Sequence, residues 1–440
     1  MKKIFEHKNY SLIMLLSILL YSLFEISSVE IAKKMQLIFI IGSLPILFYH
    51  KDRIFKDPMF QLLGLALLLQ IASWLNATIY LPDIASEVPK LDRLAKLFSF
   101  IFIAYWLQGN LRNVYLLWGT LAVGFIIGCF VNVDFFNEIS KALNGTRIDF
   151  EIKNAQFTSM FSGISLLISG FILPQVLSNK KPFQAITTSH KVLLSILIII
   201  ASLFFAFISI VTQSRQVWLA LALAFFMLPI FYALIFPKSN RKLIFISYLL
   251  IGVIFTGLSQ LEMIQKRVLL DTGTLQTIIS GDLDNIPMTS IGIRVNSWIL
   301  ATDWIKERPI LGSGAEAISE VIQQSDKFTG ELKKIGHLHN YHIETIVAYG
   351  SLGLLLIYTL YYWLVRSLFI TRIQQPELSA LAVFSLMFVT FWACINLFET
   401  INARSFGVYT HNIMFAGFYT FYLTSSLKKQ DNLHENCCCC

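Results

Sequence analysis

Residues 191–236 read KVLLSILIIIASLFFAFISIVTQSRQVWLALALAFFMLPIFYALIF, with charge only at Lys191 and Arg215. Two apolar runs, 191–212 and 215–236, meet at a tight turn bearing Gln213, Ser214 and Arg215. A helix rising about 1.5 Å per residue needs ~20 residues to cross a hydrocarbon core roughly 30 Å thick. Each run therefore has the length of one membrane crossing. A membrane barrel would instead show alternating segments of ~10 residues.

The same signal recurs along the chain. Apolar runs predict about twelve spans, near 10–27, 35–50, 58–77, 93–108, 113–132, 155–177, 191–212, 215–236, 243–260, 341–365, 377–397 and 406–426. The chain is 55% hydrophobic and 14% charged over 440 residues, against ~25% charge in soluble domains. The expected class is all-α, a polytopic integral membrane helical bundle with one large outer loop containing amphipathic helices. MKKIFEHKNY at the N-terminus resembles a signal-peptide start, but no small-residue cleavage site follows, so the first segment reads as a retained span. Inverted repeats of the transporter kind are not visible.

Alternate loops carry the positive charge: Lys2, Lys3 and Lys8; Lys51, Arg53 and Lys56; Lys180 and Lys181; Lys238, Arg241 and Lys242; Arg366 and Arg372; Lys428 and Lys429. The positive-inside rule then puts both termini in the cytoplasm. The opposite loops are more acidic, as with Asp83, Glu87 and Asp92. This asymmetry accounts for the net charge of +8 without a nucleic-acid partner. Four segments follow: an N-terminal bundle over 1–260 with about nine spans, an outer loop over 261–340, three spans over 341–426 and a cytoplasmic tail over 427–440. Cys129 and Cys394 lie singly in apolar runs and read as buried small hydrophobes. Cys437 to Cys440 read as an incidental terminus, with acylation or metal binding as other uses.

Topology leaves a short list of outer-face polar residues unexplained. Arg215 opens the eighth span, where Ser214 is placed to cap the helix and unpaired N–H groups favour an anion. Its guanidinium suits phosphate oxygens. Arg294 opens a helix predicted from Ile293, Trp298, Ala301, Trp304 and Ile305, ending at Pro309, Gly312 and Gly314. That helix is expected to lie along the membrane surface. GHLHNYHIETIVAYGSLG (336–353) then puts His337, His339, Asn340, His342 and Glu344 where the next apolar run begins. Arg404 is the last of the group.

Three histidines admit two chemistries. His339 and His342 are neighbours at i and i+3, with His337 and Glu344 as further metal ligands, although no established ligand spacing is matched. The other chemistry is acid–base: an imidazole takes a proton from an attacking hydroxyl beside a pyrophosphate held by two arginines. No nucleotide and no metal are then needed.

Here the chain resembles the O-antigen ligases, within the superfamily that also holds O-antigen polymerases and protein O-oligosaccharyltransferases. His339-Asn340, nine residues from Tyr341 to Tyr349, Gly350, Ser351-Leu352 and Gly353 satisfy the family pattern. GIRVNSWILATDWIKERPILGSG and TQSRQVWLAL are similar to the family's two arginine segments. The resemblance implies His339 as the base that activates the acceptor hydroxyl, with Arg215 and Arg294 on the pyrophosphate of an undecaprenyl-linked donor. His337, Asn340 and Arg404 would support them, and Gly350 and Gly353 would allow close helix packing. It implies metal-independent, inverting transfer of a glycan to the lipid A–core oligosaccharide, without cofactor, on the periplasmic face of the bacterial inner membrane. A polymerase or protein transferase would share the chemistry. A lipid or polysaccharide transporter, the reading from another class, would carry its polar groups nearer mid-membrane.

Overall fold

The computed structural model describes residues 8–236 and 241–437. Lys2, Lys3, Lys238 and Cys438 to Cys440 fall outside the described residues, as do the side chains of Lys428, Lys429 and Cys437. The protein is all-helical, 78% helix, with no strand among the described residues.

The main helices in chain order are α1 (Lys8–Phe24), α2 (Val29–Tyr49), α3 (Pro58–Tyr80), α4 (Phe100–Leu107), α5 (Leu111–Val131), α6 (Ala155–Leu177), α7 (Thr188–Val211) and α8 (Arg215–Ile235). They continue with α9 (Arg241–Ser259), α10 (Glu262–Leu269), α11 (Thr272–Ile279), α12 (Ser290–Glu307), α13 (Ala317–Gln323), α14 (Tyr341–Thr371), α15 (Ser379–Phe398) and α16 (Ser405–Cys437).

Among the described residues, eight helices are long and apolar enough to cross a membrane, fewer than the twelve spans expected: α2, α3, α5, α6, α7, α8, α14 and α15, the last extended back to Pro376. A ninth is reached only if Ile244–Ser259 of α9 and Glu262–Leu269 (α10), bent by 79°, count as one span. The shortfall has three sources. α1 has 17 residues and is short. The expected span at 93–108 is broken into short pieces around Lys96–Phe98 and α4. The expected span at 406–426 lies within α16, which is too polar to qualify.

That polarity has a packing reason. Every residue from Tyr409 to Phe421 of α16 is buried, so no face of that stretch meets lipid and most of its polar groups find partners inside the protein, His411 being the exception. Asn412 Oδ1 accepts from Phe100 N at 3.0 Å, Thr420 Oγ1 from Gly109 N at 2.8 Å, and Tyr409 donates to the Ser22 carbonyl at 2.6 Å. Aromatic rings fill the core beside it: Phe171 stacks on Phe384 at 4.4 Å, and Trp118 meets Phe384 and Phe418 edge-on. Outer helices do the opposite. Ile196, Leu197, Ile200 and Leu203 of α7 are exposed, an apolar face that suits lipid. Cys129 and Cys394 are free and buried as expected.

α14 touches α3, α12, α13, α15 and α16 and carries the main irregularity of the fold. Gly350 breaks it, with φ 64° and ψ −165°, a conformation essentially confined to glycine. The loop after α12 threads this break. Ser313 N and Gly314 N donate to the Val347 and Ala348 carbonyls at 2.8 and 3.0 Å, and Ser351 N donates back to the Pro309 carbonyl at 2.8 Å. A Cβ at Gly350 would collide with the Ile310 carbonyl. Helix packing therefore understates Gly350, which seats a loop. At Gly353 an added Cβ would meet Tyr349 and Thr345 of α14 itself, across the break, rather than another helix.

α12 forms where helical spacing predicts it, but its buried residues are Gly292, Asn296, Ser297 and Ala301. This small, polar face docks on α13 and α14; of the five expected positions only Ala301 is fully buried.

Candidate active site

The starts of α8 and α12 and the end of α15 line one cavity, and the starts of α14 and α16 lie at a second. Asn340 caps α14, its side chain accepting from His342 N and Ile343 N at 3.0 and 3.1 Å, a cap of the kind worth about 1 kcal/mol. The residues before it are non-helical. Leu338 is fully buried; its N–H donates to Glu344 at 2.7 Å, and its carbonyl accepts from Trp298 Nε1 at 2.8 Å. With Leu338 held inward, His337 and His339 share one side, their ring centroids 4.1 Å apart. His339 has φ 51°, left-handed backbone uncommon outside glycine and asparagine.

Both imidazoles face Glu399, the residue after α15. His339 Nδ1 lies 3.3 Å from Glu399 Oε2, and His337 Nε2 lies 3.7 Å from Oε1. The carboxyl also accepts from Thr400 N at 3.1 Å. Burial pushes the Glu399 carboxyl up, but the His339 hydrogen bond and both imidazoles outweigh it and hold it down at about 2. An ionised carboxylate only accepts, so the hydrogen bond puts the proton of His339 on Nδ1 and leaves Nε2 as the basic nitrogen. Burial, then repulsion from His339, holds the His337 imidazole down at about 4, so it is neutral at pH 7.

Sequence reasoning missed Glu399. The available signal was an acid closing the apolar run 377–397, at the hairpin that also bears Arg404. His342 does not join the cluster: it is buried, with Nε2 3.2 Å from the Ala393 carbonyl and its ring stacked on Tyr358. The i, i+3 pairing with His339 does not form a ligand set. Glu344 serves the Leu338 N–H instead. Among the described residues, the three that can share a cation are His337, His339 and Glu399, whose ligand atoms lie within 4.8 Å of one another.

Arg215 and Arg294 line one cavity of about 370 Å³, joined there by Arg147 and Arg267, which the sequence did not single out. Arg215 pairs with the buried Asp271 at 2.6 Å. Arg294 donates through Nε to the Phe398 carbonyl at 3.2 Å, which ties it to the residue before Glu399. Arg147 Nε and Arg267 Nε donate to the carbonyls of Thr212 and Gln213 at 3.0 and 3.2 Å, bracing the turn that opens α8. Ser214 occupies the cap position but makes no cap hydrogen bond, and its buried hydroxyl has no partner. Burial, then the crowding of Arg267, Arg294 and Arg215, lowers the Arg147 guanidinium to about 10. Burial is also the main cause lowering Arg294. Such crowding favours a bound anion. Leu219, Leu275, Ile278, Ile291, Val295 and Phe398 make the rest of the wall largely apolar.

Arg404 lies on the other side of Glu399. With His337 it lines a second cavity of about 320 Å³.

Fold and site together define a multi-pass membrane protein with an arginine-rich, partly apolar cavity beside a His–Glu pair. Residues 200–358 match the family model described as O-antigen ligase, a match that supports a membrane enzyme of the O-antigen ligase and polymerase type. The matched stretch includes Arg215, Arg294, His337, His339, Gly350 and Gly353; Glu399, Arg404 and Arg147 lie outside it. No curated protein matches the chain.

Proposed function

We propose that the protein is an O-antigen ligase: it transfers a glycan from an undecaprenyl pyrophosphate-linked donor to a hydroxyl of the lipid A–core oligosaccharide. The carrying observation is the cavity in which Arg147, Arg215, Arg267 and Arg294 meet apolar walls, tied through Arg294 to Phe398, the residue before the His339 partner Glu399. A lipid pyrophosphate needs both: guanidinium forks for its oxygens and apolar surface for its chain.

In this reading His339 Nε2 takes the proton of the acceptor hydroxyl. The hydroxyl oxygen bonds to the anomeric carbon, the bond from that carbon to the pyrophosphate oxygen breaks, and the electron pair leaves on the pyrophosphate. Arg215 and Arg294 stabilise that charge as it forms. One displacement inverts the anomeric centre. Glu399 holds the imidazole by Nδ1 and stabilises the imidazolium. With both termini cytoplasmic, as the loop charges imply, the site faces the periplasm of the inner membrane.

Two measurements test this in membranes of a strain lacking its own ligase. His339→Ala is expected to leave folded protein and abolish transfer, so that undecorated lipid A–core accumulates with long glycan on the carrier. A wild-type lipopolysaccharide ladder from this variant would sink the mechanism, and core bearing a single repeat unit in the deletion strain itself would assign a polymerase. The grouping of His337, His339 and Glu399 favours one rival, a metal-assisted transfer with open coordination positions. Transfer that survives EDTA keeps the imidazole as base; loss restored by zinc would establish the metal.

A further inference from the structure

The second cavity is chemically unlike the first. Phe398 lines the arginine cavity and Thr400 lines this one, so Glu399 stands between them. Its cations are Arg93, Lys96 and Arg404, and its wall includes His337 from the imidazole pair. Two carboxylates answer them, Asp92 and Glu344, the second already accepting from Leu338 N. Arg93 and Arg404 make no ion pair among the described residues.

Two tyrosines of α14, Tyr341 and Tyr349, sit two turns apart on the face that lines this cavity. Each is 5% exposed, and each hydroxyl is buried without a hydrogen-bond partner. Buried tyrosine hydroxyls ordinarily find one. Orphaned hydroxyls, unpaired guanidinium groups and a mostly polar wall, aliphatic only at Leu94, Ile318 and Ala403, describe a site for a polar, negatively charged, hydroxyl-rich molecule.

We propose that this cavity binds the acceptor, a saccharide bearing a phosphate or carboxylate, and presents one of its hydroxyls to the imidazole pair. Arg93 and Arg404 hold the acidic substituent, and Tyr341 and Tyr349 hydrogen-bond the sugar. The inference rests on the transferase reading and adds the acceptor's place and its charge.

The test uses the full-length protein in nanodiscs, with lipid-linked pyrophosphate glycan as donor and lipid A–core saccharide as acceptor. Arg93→Gln is expected to raise the acceptor KM about tenfold, the scale of one charge-assisted hydrogen bond, with the donor KM unchanged within about twofold. Tyr349→Phe should raise the acceptor KM several-fold while leaving the melting temperature of acceptor-free protein equal or higher, because a buried unpaired hydroxyl is removed. Dephosphorylated acceptor should reproduce the Arg93→Gln effect in the wild type; if only carboxyl-reduced acceptor does so, the acidic group is a carboxylate. Unchanged acceptor KM in both variants, or an effect on donor KM instead, overturns the assignment. The rise in melting temperature with acceptor alone separates the two proposals. Arg93-dependent binding without any transfer keeps the cavity and removes the transferase; no binding removes the cavity.

Discussion

Glu399 lies 60 residues from His339 in the chain, yet its carboxylate decides which nitrogen of that imidazole is basic. Glu399→Gln keeps the shape and removes the charge, so the His339 tautomer is no longer enforced and an imidazolium is no longer stabilised. Its kcat is expected to fall about 10²- to 10⁴-fold, the scale of general-base catalysis, with KM for both substrates little changed; a kcat within twofold of wild type would refute the orienting role. His337 makes a pH prediction. Its folded pKa of about 4 lies below the ordinary 6.5, so between those values the unfolded chain binds a proton that the folded protein refuses. Stability therefore falls as pH drops through that window, by at most about 3 kcal/mol. Thermal melts from pH 7 to 4 should show a shallower decline for His337→Asn, and equal slopes in the two proteins would contradict the assignment.

At the scale of the element, the break in α14 sets where the imidazoles can sit. The first nine residues of the helix carry the Asn340 cap, and Gly350 lets the loop after α12 cross immediately behind them. Gly350→Ala would need a backbone conformation that a Cβ forbids and would strike the Ile310 carbonyl, at a cost of roughly 3 kcal/mol or more. Gly119→Ala, in the middle of α5 with nothing near its Cβ, should be neutral or slightly stabilising. Melting temperatures of the two detergent-solubilised variants make the comparison, and a Gly350→Ala protein as stable as Gly119→Ala would mean that the break is not required. The glycine spacing was visible in the sequence; its conformation was not, because a glycine that packs and one that must turn look the same until the crossing loop is placed.

For the whole molecule, what could be read in advance followed from local physics. Apolar runs gave away α5 to α8, and position at the start of a helix marked Arg215 and His339. Two things escaped. The polar α16 hid its role because its hydropathy reflects burial among helices rather than contact with lipid. Glu399, Arg147 and Arg267 hid because their partners are distant in the chain, and pairings of that kind are made by helix packing alone. The partition at Glu399 has a kinetic consequence for the proposed transfer. With separate cavities on its two sides, neither substrate must vacate its place before the other arrives, so both are held at once. Such an enzyme follows a sequential rate law, with intersecting double-reciprocal plots, and accumulates no glycosylated protein between half-reactions.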